Sequence, residues 1–236
     1  MADLESWIRR EKVQMGAGQV AYGTNFLPDM RCLYVETPKV ACSTIKGSLQ
    51  AIVARDQARD FGNVHQRRNS PLLSFADVPD VDAALAHPGL FRFCFVRHPY
   101  TRTLSAWKDK IAGGPSRQRR AFLKTMGQDP DSEAEIPFEA FLEVLQEQKP
   151  KQMNPHWRPQ AAQVMLGAVT YDFIGRFERF DADFAYALGR AGGDVVETIR
   201  PHSTGAAADQ PELTPRARQL IQAIFAADFT AFGYAP

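Results

Sequence analysis

Lys39, Ser43 and Thr44 stand close together in "TPKVACSTIK" (37–46), with Val40, Ala41 and Cys42 between them. A cation, two hydroxyls and small side chains are what a loop needs to wrap a phosphate-like anion. The backbone can come close, the hydroxyls donate, and the ammonium offsets charge. A second set lies in "FVRHPYTRTLSAW" (95–107). The planar fork of Arg97 suits an anionic oxygen pair, and Ser105, two turns further on, adds a hydroxyl. A third candidate is His156 in "NPHWRP" (154–159), whose imidazole could take a proton from a poor nucleophile such as an alcohol near neutral pH. Each has a plainer reading. Pro38 could end a strand with Lys39 solvated and Ser43 and Thr44 capping a helix. Arg97 could sit in a surface ion pair, and His156 could pack beside Trp157 at a loop corner.

The two cationic sets recur at the same kind of junction. "CLYVET" (32–37) is a short apolar run of strand formers, and "CSTIKGSLQAIVARDQ" (42–57) follows with helical apolar spacing at Ile45, Leu49, Ile52 and Val53. "LFRFCFV" (90–96) repeats the plan. Pro99 suits an early helical position there, and Leu104, Trp107 and Ile111 share a face. "VTYDFIG" (169–175) and "RFDADFAYALGRAGG" predict a third strand and helix, closed by Gly192 and Gly193. "PFEAFLEVLQEQ" (137–148) and "LTPRARQLIQAIFAADFTAF" (213–232) predict further helices, the second with Thr214 as cap and Pro215 at its first position. Strands alternating with helices imply an α/β fold, a three-layer α/β/α arrangement around a central parallel sheet. In such a sheet, ligands bind beyond the carboxyl ends of the strands, where helix N-termini point free N–H groups. Residues 113–137 carry a basic run and an acidic run among Gly and Pro, which predicts a solvated surface excursion.

Composition limits the partners. Among 236 residues, 28 Lys and Arg balance 27 Asp and Glu, leaving no bulk field for nucleic acid or an anionic membrane. Any anion site is therefore local. No window approaches the ~18 apolar residues of a membrane span. Cys32, Cys42 and Cys94 suggest neither a disulfide framework nor a zinc site, so a reducing, cytoplasmic setting is expected. A Walker loop places glycines first and lysine late, whereas here lysine precedes the small residues and the glycines are missing. That disfavours an ordinary ATP or GTP enzyme.

Taken together, "TPKVACSTIK" and "FVRHPYTRTLSAWKDKI" resemble the carbohydrate sulfotransferases of the family that includes the chondroitin and HNK-1 enzymes (sulfotransferase family 2). "NPHWRP" is similar to that family's His-Trp element, "YDFIGRFERFDADFAYAL" (171–188) to the strand and helix after it, and the C-terminal helical run to its closing helix. The resemblance runs in order from about residue 30 to 234. It implies a P-loop-NTPase-like sulfotransferase fold in a single domain over 1–236. The donor-binding core would comprise about 30–111 and 169–234, with an insert at 112–168 shaping the acceptor site. It implies 3′-phosphoadenosine 5′-phosphosulfate (PAPS) as donor, no metal, and a carbohydrate or glycolipid hydroxyl as acceptor. Residues 39–44 would hold the 5′-phosphosulfate, Arg97 and Ser105 the 3′-phosphate. Lys39 would stabilise the leaving phosphate, and His156 would act as base. Golgi members carry an N-terminal anchor and usually cysteines after the His-Trp element. Neither is seen here, which fits a cytoplasmic, bacterial-type member and leaves the acceptor open.

Two rival readings remain at this stage. A P-loop-like kinase or nucleotide hydrolase would need magnesium and an acidic residue at a strand end, where "FVRHP" offers arginine and histidine. A catalytically degenerate nucleotide-binding protein would bind without turnover. Among the other candidates, His65 is expected on a surface loop, and His98 and His202 near the donor. Arg176 is expected either on an anion or paired with Glu178 or Asp181. Trp157 is expected in the core, and oligomeric state is open.

Overall fold

The computed structural model of the chain describes residues 2–57, 63–192 and 213–236. His202 and Gly193 lie outside the described residues. Helices α1 (Ala2–Arg10) and α2 (Ala17–Gly23) lead into β1 (Thr24–Phe26) and β2 (Cys32–Val35), which is followed by α3 (Cys42–Gln57). A short α4 (Val81–Leu85) precedes β3 (Phe91–Val96) and α5 (Pro99–Trp107). Next come α6 (Arg117–Thr125), α7 (Phe138–Gln146), α8 (Gln160–Gln163), β4 (Phe173–Arg176) and α9 (Phe180–Arg190). The chain closes with α10 (Pro215–Ile224) and α11 (Ala226–Phe232).

The sheet order is β1-β2-β3-β4. β2, β3 and β4 are parallel, with Val35 beside Cys94 and Val96 beside Arg176, as the alternating pattern predicts. β1 is an addition: it pairs antiparallel with β2, Thr24 opposite Val35 and Phe26 opposite Leu33. Three residues of "TNF" carry too little pattern to be read as a strand in advance.

Side-chain alternation along the strands builds two cores. Cys32, Tyr34, Phe91, Phe93 and Phe95 face one way, onto Ile45, Leu49, Ile52 and Val53 of α3 and onto Phe184, Ala187 and Leu188 of α9. Leu33, Val35, Cys94 and Val96 face the other way, into a larger cluster that takes in Trp7, Phe141, Leu145, Trp157, Leu220 and Ile221. Helices on both faces give the expected three layers. Gly175 in β4 sits where a Cβ would meet the Phe95 ring at 2.4 Å, so strand and ring touch only because that side chain is missing.

Two expectations are corrected. The stretch 113–137 is no mere excursion, because α6 lies within it. Ser116 Oγ accepts from Arg119 N at 2.9 Å to cap that helix, and Phe122 and Leu123 are buried. The Phe122 ring lies 5.2 Å from Phe141 and 6.0 Å from Trp157, so aromatic burial outweighs the polar composition of the flanks. The C-terminal helix is also two helices, broken at Phe225 (φ −110°, ψ 23°). Trp157 is in the core as expected.

One local irregularity bears on the site. After Trp107, helix α5 widens into a π turn, Lys108–Ala112. At its end a Cβ on Gly113 would lie 2.8 Å from Lys108 O, so glycine is what lets the wide turn close.

Candidate active site

The loop between β2 and α3 carries Lys39 and Ala41 at φ +73° and +65°, a left-handed conformation unusual for residues with a Cβ. Such a turn folds the backbone back on itself ahead of the helix. Ile45 N is the first helix amide to reach a backbone carbonyl, donating to Ala41 O at 3.1 Å. The N–H groups of Cys42, Ser43 and Thr44 therefore stand at the open helix end, the arrangement that favours an anion. The loop predicted to cradle a phosphate has the backbone for it. Beneath it, Lys46 Nζ donates to Glu36 Oε2 at 2.9 Å, both groups almost fully buried. Burial, with Glu36 adding, pushes the Cys42 thiol up to about 12, so it stays protonated and is no nucleophile.

Arg97 directly follows β3 and is bound to that loop. Its Nη1 donates to Lys39 O at 3.2 Å and its Nε to Thr101 Oγ1 at 3.0 Å, while the guanidinium lies 4.3 Å from the centre of the Phe177 ring. Gln160 fixes its backbone from both sides. Arg97 N donates to Gln160 Oε1 at 2.9 Å, and Gln160 Nε2 donates to Arg97 O at 2.8 Å. Asp228 holds Gln160 in turn, accepting from its backbone N at 2.7 Å. The two predicted cationic sets are thus in direct contact. Nη2 of Arg97 has no partner among the described residues. Ser105, on α5, is half-buried, and its hydroxyl likewise has no partner among the described residues.

His156 joins the same site. Its Nδ1–H donates to Asn154 Oδ1 at 2.7 Å, which fixes the tautomer and leaves Nε2 as the acceptor. Burial, then the positive charges of Lys110, Lys39 and Arg102, push its pKa down to about 3. The ring is therefore neutral over the working pH range and close to Lys39. Lys39 Nζ itself rests on Asp109 Oδ2 at 2.8 Å, and Lys110 Nζ reaches the same oxygen at 3.0 Å. Asp109 and Lys110 both come from the π turn.

Sequence reasoning missed the residue that ties these pieces together. Arg102, fully buried on α5, donates from Nε to Pro38 O at 3.1 Å, from Nη1 to Arg158 O at 2.9 Å and from Nη2 to Pro155 O at 3.1 Å. One guanidinium thus fastens the Lys39 loop to the His156 loop. Its only advance signal is an arginine on the inward side of an amphipathic helix. Two other expectations change. His98 is occupied in capping α5, its Nδ1 accepting from Tyr100 N at 3.3 Å. Arg176 lies over the Tyr234 ring at 4.6 Å and donates to Phe232 O. Glu178 is taken instead by His98 N at 2.6 Å and Tyr234 OH at 3.0 Å.

The sulfotransferase family profile, Sulfotransfer_2, matches residues 23–235, which takes in every one of these elements from β1 onward. The chain belongs to the sulfotransferase family. Among curated relatives, carbohydrate sulfotransferase 14 of Danio rerio is 32% identical over 170 residues, covering 69% of this chain and 46% of the relative. The Homo sapiens carbohydrate sulfotransferase 14 is 30% identical over 181 residues, covering 73% and 46%. Carbohydrate sulfotransferase 11 of Rattus norvegicus is 25% identical over 185 residues, covering 70% and 51%. This family member thus spans about half the length of the curated relatives it matches. No solved structure matches it. Among its described residues, no helix is long and apolar enough to cross a membrane, and no group of three or more His, Cys, Asp or Glu is placed to hold a metal ion.

Proposed function

We propose that this family member transfers a sulfuryl group from PAPS to a hydroxyl of a carbohydrate or glycolipid. The observation that carries the reading is the contact of Arg97 with the Lys39 loop: two anion-binding elements, at the ends of adjacent parallel strands, locked together in one crevice. A donor with phosphate groups at both its 3′ and 5′ positions needs two such elements, whereas ATP needs only one cluster. The names of the relatives support a carbohydrate acceptor.

In this reading the amides at the start of α3, with Ser43 and Thr44, hold the 5′-phosphosulfate, and Arg97 with Ser105 holds the 3′-phosphate. The acceptor oxygen attacks sulfur in line, forming the new S–O bond as the bond to the bridging phosphate oxygen breaks. The acceptor proton passes to Nε2 of His156. Lys39 leaves Asp109 for the bridging oxygen, where negative charge grows. The donor's anionic groups offset Lys39 and Lys110, so the imidazole becomes a stronger base once the donor is in place. No metal is required by this scheme. A cytoplasmic setting is part of the same proposal, and fractionation of the native cells tests it.

Calorimetry with adenosine 3′,5′-bisphosphate and with ADP is the direct test. Tight binding of the bisphosphate and weak binding of ADP is expected, and equal affinity would overturn the reading in favour of a nucleotide hydrolase or kinase. Labelled donor incubated with a cell extract then identifies the acceptor by the molecule that gains the label. Binding without any transfer would leave a degenerate binder.

A further inference from the structure

His65 lies on a partly exposed loop, as expected, and its ring is seated on the anion loop. Its Nε2 lies 2.8 Å from Ser43 Oγ, and its Nδ1 lies 3.4 Å from Tyr22 OH. The segment that carries it is pinned to the body of the molecule. Gln50 Nε2 of α3 donates to Val64 O at 3.3 Å and Ser70 Oγ at 3.2 Å, and Arg67 Nη1 donates to Asn25 Oδ1 at 3.1 Å. The His65 backbone N–H donates to Asn63 Oδ1 at 2.9 Å. A ring held at so many points is placed, not stranded.

The contacts admit a tautomer that leaves the Ser43 proton free, with Tyr22 OH donating to Nδ1 and Nε2–H donating to Ser43 Oγ. Burial lowers the His65 pKa, so the ring carries a single N–H at neutral pH. Tyr22 keeps its proton, since burial and Glu36 push it up to about 12, and it can donate to Nδ1. Glu36 Oε1 is farther from Nδ1, at 3.9 Å, and its carboxylate is already engaged by Lys46. With Nδ1 as acceptor, the proton sits on Nε2 and is donated to Ser43 Oγ. The Ser43 hydroxyl proton is thereby released from any internal partner and can point to an incoming anion. Without His65, that hydroxyl could spend its proton on a nearby carbonyl, as helix-start serines do.

We propose that His65 is a positioning residue for the donor, orienting the Ser43 hydroxyl so that it donates to the 5′ anionic group. This rests on the donor reading above. The test is calorimetry with adenosine 3′,5′-bisphosphate on the wild-type protein, His65→Ala, His65→Asn, His65→Gln, Ser43→Ala and the double variant His65→Ala/Ser43→Ala. A glutamine amide reaches the place of Nε2, whereas an asparagine amide reaches only that of Nδ1. Binding is expected to weaken about five- to tenfold in His65→Ala and His65→Asn, within the range of one net hydrogen bond. His65→Gln should restore most of it, and the double variant should bind no more weakly than Ser43→Ala alone. Wild-type affinity in His65→Ala, or full addition of the two losses in the double variant, overturns the proposal while leaving the donor reading intact. Should His65→Ala fail to fold by thermal melt, the contrast of glutamine with asparagine decides in its place, equal affinities counting against the proposal. A wild-type protein that ignores the bisphosphate removes the donor reading, and this one with it.

Discussion

Lys39 Nζ sits 2.8 Å from Asp109 Oδ2, so the ammonium expected to meet the leaving phosphate is held by a carboxylate when no donor is there. Asp109 is half-exposed, so the pair is of modest strength. Asp109→Asn should tighten bisphosphate binding about two- to fivefold, the scale of such a pair, by removing a competing anion. Lys39→Ala should lower turnover by about a hundredfold or more while changing bisphosphate affinity far less. Calorimetry and single-turnover kinetics with labelled donor separate the two effects.

Arg97 combines a main-chain clasp, a ring contact and one nitrogen, Nη2, that is unpaired among the described residues. Arg97→Lys keeps a positive charge but loses the fork and its stacking on Phe177. It should therefore lose most of the preference for adenosine 3′,5′-bisphosphate over ADP, with the bisphosphate weakened about tenfold or more. Competitive calorimetry with the two nucleotides reads the ratio directly.

Arg102 donates to three carbonyls from inside the protein, and burial lowers its pKa to about 10, still charged at neutral pH. Arg102→Met, similar in length, would leave those carbonyls unsatisfied. A loss of about 3–5 kcal/mol in stability is expected from equilibrium denaturation. In whatever fraction still folds, turnover should fall further than donor affinity, since the Lys39 and His156 loops lose their common tie.

The buried, neutral His156 links stability to acid. Its pKa is near 6.5 when unfolded and about 3 when folded, so below pH 6.5 the unfolded chain binds the proton better. Stability from this residue is thus complete above pH 6.5 and is lost as the pH falls toward 3, on the order of 2 kcal/mol by pH 5. His156→Gln should show a correspondingly shallower decline between pH 7 and 5 in denaturant titrations. If His156 takes the acceptor proton, kcat/KM of the wild type should stay flat through pH 6, because the imidazole of the free protein titrates well below that.

What the sequence conveyed followed from short-range periodicity. The β2–α3 and β3–α5 units and the parallel core of the sheet were legible, because strand burial and helix spacing leave local patterns in "CLYVET" and "SLQAIV". Contacts between distant segments leave no such trace. Arg102 to Pro155, His65 to Ser43 and Gln160 to Arg97 each join residues separated by more than twenty positions. The polar flanks of α6 likewise hid a helix whose warrant is the aromatic cluster it completes.

The widened winding at 108–112 carries a last implication. Removing a single residue from it would restore regular α-helix and turn whatever follows by about 100° around the axis. Asp109 and Lys110 would then swing out of reach of Lys39 Nζ. A shortened relative would have to guard its lysine by other means, or leave it unguarded.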